Sequence, residues 1–167
     1  MADRTLTEVR MRWDETVASG CRYGKVAGAI WGDHEILWEE SEDYYQGHAT
    51  FLARSPAGNF SFYEWSYGSC SGCDDWEARR LSNEEIAQEM RTTAIWFTDE
   101  SHLINWLRMI QQNDPEEYKV GTLRALGLAQ IIDLFGGCAR MRLKRMAEKV
   151  LPMLLGDENG RKILPKM

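Results

Sequence analysis

The sequence predicts an α+β fold: a small antiparallel β-hairpin or sheet over about residues 44–67, packed by several α-helices, with a helical C-terminal half. Three observations carry that expectation. Residues 44–54 and 60–67 are rich in β-formers and flank Ser55-Pro56-Ala57-Gly58-Asn59, a run of strong turn residues. From residue 82 onward, apolar residues recur at spacings of three and four behind helix-capping signals. The chain has 167 residues, 44% apolar and 28% charged, which suits a single globular domain over 1–167 and excludes a wholly disordered polymer.

Taken in order, the elements begin with a helix. Thr5-Leu6-Thr7-Glu8 fits a capping box, and Leu6, Val9, Trp13 and Val17 follow at helical spacing up to a stop at Gly20. Gly20, Gly24, Gly28 and Gly32 then recur every four residues. That spacing suits close helix packing, but each glycine costs a helix about 1 kcal/mol, so no element is assigned there. Residues 33–43 carry Asp33, Glu35, Glu39, Glu40, Glu42 and Asp43 around Ile36-Leu37-Trp38 and read as a solvated acidic face. A mimic of phosphate spacing is the sharper alternative, for which a net charge of −6 is modest.

After the hairpin, Ser82-Asn83-Glu84-Glu85 is a second capping box, leading into Ile86, Met90, Ala94 and Phe97 on one helical face. Thr98 or Asp99 can cap a helix bearing Leu103, Trp106, Leu107 and Ile110. Asp114-Pro115 reads as a further helix start. Gly136-Gly137 should end the apolar stretch Leu123–Phe135, and residues 138–155 form a last amphipathic helix that bends or stops at Pro152. No apolar run approaches the roughly 18 residues of a membrane helix, and Asp3, Glu8, Asp14 and Glu15 are unlike a secretory leader. A cytoplasmic protein without membrane contact is the expectation.

The cysteines are Cys21, Cys70, Cys73 and Cys138, whose scatter argues against a disulfide framework. Cys70 and Cys73 form a CxxC where a β-rich stretch ends, with Asp74 or Asp75 placed to cap a short helix. The first reading is structural: small buried thiols within a tight Gly- and Ser-rich connection. The second is a tetrahedral zinc site in which Cys70 and Cys73 are completed by residues such as His48, Cys21 or Cys138, with His34 and His102 as further imidazoles. The third is thiol redox chemistry, opposed by the charges of Asp74 and Asp75 and by the lack of a βαβ pattern. No HExxH, GxSxG, GxxxxGK[ST] or GxGxxG pattern occurs, so the sequence gives no catalytic residue and no cofactor beyond the zinc alternative.

Asp43-Tyr44-Tyr45-Gln46-Gly47 and Tyr67-Gly68-Ser69-Cys70-Ser71-Gly72-Cys73-Asp74 together resemble a family of small bacteriophage and bacterial proteins that share a DYQG-type and a YGSCSGCD-type segment. This chain carries one extra tyrosine in the first segment, and the likeness covers about residues 43–80. The resemblance implies a phage or bacterial accessory protein and brings no activity with it. With the absence of catalytic motifs, it makes a non-enzymatic binding protein the leading expectation. Such a protein would be phage-encoded, act in the host cytoplasm, and engage a host or phage protein through aromatic and acidic surface.

Charge is uneven: residues 1–100 carry a net −10 and residues 101–167 a net +4. The positive end comes from the last helix, where Arg140, Arg142, Lys144 and Arg145 are the residues a partner would meet. The plainer reading is an amphipathic helix whose bases complement its own C-terminal end or the acidic half. Nucleic acid is therefore a secondary expectation.

Overall fold

One antiparallel sheet holds five strands in the order in which the chain makes them: β1 Met11–Arg12, β2 Glu35–Glu39, β3 Gly47–Arg54, β4 Phe60–Tyr67 and β5 Ile95–Phe97. The computed structural model describes residues 11–42, 46–68, 75–112 and 128–156, the stretch 128–140 by its backbone alone. The α+β class expected from the sequence is what forms. The chain divides into two compact units, Met1–Thr98, which holds the sheet, and Asp99–Met167, whose described elements are helices.

The hairpin lies at the centre of the sheet. β3 and β4 pair without interruption from Arg54↔Phe60 to Gly47↔Tyr67. Ser55–Asn59 closes it as its residue types require. The Ser55 N–H donates to the Asn59 carbonyl at 2.8 Å, the Asn59 N–H donates to Ser55 Oγ at 3.1 Å, and Gly58 takes φ +88 at the turn.

β2 runs through the acidic segment, which is a solvated face only in part: Asp33 and Glu42 are exposed, whereas the middle of the segment is a strand. Ile36, Leu37 and Trp38 are buried, and Leu37 is the extra residue of a bulge between Ile36↔Ala53 and Trp38↔Leu52. Two of the acids have structural partners. Glu35 pairs with Arg54 at 2.5 Å. The Glu39 carboxylate accepts the N–H groups of Val17 (3.2 Å) and Ala18 (2.5 Å), capping a helix more than twenty residues upstream.

The helix expected from Thr5 to Gly20 does not continue through its described part. There the chain is β1, a 3₁₀ turn at Trp13–Glu15, and α1, Val17–Gly20. Thr16 is the cause: its backbone is extended (φ −84, ψ 154), and its Oγ1 accepts the Ser19 N–H to begin a new helix. Trp13 is buried and Val17 exposed, so they do not share a face. Thr5, Leu6 and Val9 lie outside the described residues. The glycine-spaced stretch becomes α2, Gly24–Trp31. A Cβ at Gly24 would lie 2.2 Å from the Ser19 carbonyl oxygen, and one at Gly28 would lie 3.0 Å from Trp13 Nε1. Both glycines let α2 approach the segment before it.

α3 spans Asp75–Ala78 and α4 spans Asn83–Thr93. The second capping box forms as the sequence specifies, with Glu85 N–H on Ser82 Oγ (3.3 Å) and Ser82 N–H on Glu85 Oε2 (2.7 Å). The bond from the Ser82 N–H, then the Ser82 side chain, hold the Glu85 carboxyl below its ordinary pKa. A depressed carboxyl pKa stabilises the fold above the unfolded-state value, and that contribution fades as pH falls through the folded value. Ser82→Ala removes the N-cap acceptor of α4, and loss of such a cap is expected to cost about 1 kcal/mol in denaturant unfolding. Glu85→Gln should remove part of the acid sensitivity.

Phe97 does not extend the α4 face as its spacing suggested. Ala94 is extended (φ −62, ψ 147), and Ile95-Trp96-Phe97, all strand formers, pair with β4 through Phe60↔Phe97 and Phe62↔Ile95. One sheet face and helices α1, α2 and α4 enclose an aromatic core. Trp31 sits 4.9 Å from Phe51, 5.0 Å from Tyr63 and 6.3 Å from Trp13 between ring centroids, and its Nε1 donates to Ser61 Oγ at 2.9 Å. Burial pushes the Tyr63 hydroxyl pKa up, so it stays neutral.

In the helical unit, α5 (Glu100–Gln112) starts as expected at Asp99, whose Oδ1 accepts the His102 N–H at 2.9 Å and the Ser101 hydroxyl at 2.5 Å. Its buried stripe is the expected Leu103, Trp106, Leu107 and Ile110. α6, Leu128–Leu155, packs along α5 and passes through both expected breaks, Gly136-Gly137 and Pro152. In a helix of 28 residues, neighbouring turns offset two glycines at about 1 kcal/mol each, and proline removes one N–H donor. The helix ends at Gly156, which takes φ +90 and donates its N–H to the Pro152 carbonyl at 3.0 Å. The Asp114-Pro115 start lies outside the described residues. No described helix is long and apolar enough to cross a membrane.

Candidate functional site

The pairing of Gly47 with Tyr67 means that the segments 43–47 and 67–74 leave from neighbouring strand ends. Of those segments, residues 43–45 and 69–74 lie outside the described residues, and with them Cys70 and Cys73. The ground from which they leave is built from Cys21, Glu42, Gly47 and Tyr67. The Tyr67 hydroxyl donates to the Glu42 carbonyl and lies 3.4 Å from Cys21 Sγ. The Cys21 thiol donates to the same carbonyl at 3.1 Å. Glycine is needed at position 47 because a Cβ there would come within 2.9 Å of Tyr67 Oη.

The residues expected to complete a zinc site are placed differently from one another. Cys21 is buried in the cluster just described. His48, on β3, has Nδ1 3.7 Å from a Glu42 carboxylate oxygen, so Cys21 and His48 engage the backbone and the side chain of one residue. The Cys138 side chain lies outside the described residues. His34 (Nδ1 to Asp33 Oδ1, 2.7 Å), in the bend before β2, and His102 (Nδ1 to Asp99 Oδ2, 3.2 Å), on α5, each stand beside their own acid. Among the described residues, no group of three or more His, Cys, Asp or Glu could hold a metal ion.

Among the tryptophans, all of which are described, the expected aromatic surface rests on Trp96. Trp13, Trp31, Trp38, Trp65 and Trp106 are buried. Trp76 is half-buried, edge-on to Tyr23 at 4.8 Å and bonded through Nε1 to Glu89 Oε1 at 3.1 Å. Trp96, on the terminal strand β5, is 45% exposed. It is nonetheless held through its ring face and its indole N–H. The ring lies nearly parallel to Trp31, at 13° and 6.2 Å between centroids, and Nε1 donates to the Arg91 carbonyl at 2.8 Å. Sequence reasoning placed the neighbouring Phe97 on a helix and passed over Trp96. The run of strand formers Ile95-Trp96-Phe97 was the signal that could have found it.

The basic residues of the last helix are divided by the fold. Arg142 is only 8% exposed, because it lies one and two turns before Met146 and Val150 on the buried stripe. Lys144 is half-buried and Arg145 exposed, while the Arg140 side chain lies outside the described residues.

No protein-family model, no curated protein and no solved structure matches the chain.

Proposed function

We propose that this is a small non-enzymatic binding protein that engages another protein with Trp96 as its aromatic anchor. Following the motif resemblance, we read it as a bacteriophage-encoded accessory factor working in the host cytoplasm on a host protein. The observation that carries the binding reading is the half-exposed Trp96, fixed by the Trp31 ring and the Arg91 carbonyl. A large aromatic already locked in place loses little conformational freedom on docking, and tryptophan is enriched among residues that dominate interface energetics. The net −10 of residues 1–100 favours a partner with a basic face.

Affinity capture from host lysate, run in parallel with the native chain and Trp96→Ala, tests this reading. One protein should be retained by the native chain and bound at least about tenfold more weakly by the variant, as expected for an anchor residue. Circular dichroism should show the sheet intact in both. A partner held equally well by Trp96→Ala, or no specific partner at all, would overturn the proposal.

A second reading, a zinc- or thiol-dependent protein centred on Cys70 and Cys73, is favoured by one observation. The Cys21 thiol lies against the hydroxyl of Tyr67, only three residues before Cys70. Metal analysis of the purified chain and of Cys70→Ser separates the two readings. Zinc at one per chain that disappears with the substitution supports the second, and metal-free protein of unchanged stability removes it. Nucleic-acid binding by α6 has less support, since Arg142 is buried.

A further inference from the structure

We draw no further inference here: the strongest candidate, the polar row of His48, Thr50, Glu64 and Ser66 along one face of β3 and β4, carries no ligand assignment because nothing in the structure shows what covers it.

Discussion

Trp31→Ala is expected to destabilise the protein by about 3–5 kcal/mol, enough to leave much of a marginally stable chain unfolded at ambient temperature. Trp31 is fully buried, and the rings of Trp13, Phe51, Tyr63 and Trp96 all pack on it. Its removal would open a cavity walled by stiff aromatic groups that cannot collapse into the space. It would also leave the buried Ser61 hydroxyl without the indole N–H that donates to it at 2.9 Å. Trp31→Phe separates the two effects. It keeps most of the packing and loses the hydrogen bond, for which about 1–3 kcal/mol is expected. Denaturant unfolding followed by far-ultraviolet circular dichroism measures both. A loss below about 1.5 kcal/mol for the alanine variant would mean that the aromatic cluster is not the centre of stability.

Gly24→Ala should destabilise by about 1–3 kcal/mol, the opposite sign from the usual effect of replacing a helical glycine. In an open helix the change gains about 0.5–1 kcal/mol, because alanine restricts the unfolded chain. At Gly24 the new methyl would meet the carbonyl oxygens of Ser19 at 2.2 Å and Ala18 at 2.5 Å. Those atoms are backbone of α1, which the Glu39 carboxylate holds at its first N–H groups, so relief requires moving a capped helix. The sign of the change in unfolding midpoint is the test. A more stable Gly24→Ala would show that α1 and α2 are not packed this closely.

Where a structural signal was local, the sequence made it legible. The β3–β4 turn needs only Ser55, Gly58 and Asn59, all within five residues, and the α4 cap needs only Ser82 and Glu85. What could not be read was set by partners distant in sequence. Glu35 and Glu39 look like solvated charges until Arg54 and the α1 N–H groups are brought to them. The spacing of Trp13 and Val17 fits a helix, yet Thr16 between them is itself a cap, a conflict that spacing does not resolve. Arg142 counted as a surface base because charge usually marks solvent, whereas its helical register with Met146 and Val150 places it inside. The exposure of Trp96 depends on the edge position of β5, a property of the assembled sheet. The CxxC was legible as a motif, and Gly47↔Tyr67 adds that the segments 43–47 and 67–74 depart from adjacent strand ends.

Because each described strand pairs with the one made immediately before it, none of the five has to be threaded between two others. The β3–β4 ribbon closes across only Ser55–Asn59, so it can zip first and serve as a template for strands arriving on either flank. Growth by accretion spreads the loop-closure cost over successive steps, the largest of them falling where β1 joins β2 and β5 joins β4 across the longest connections.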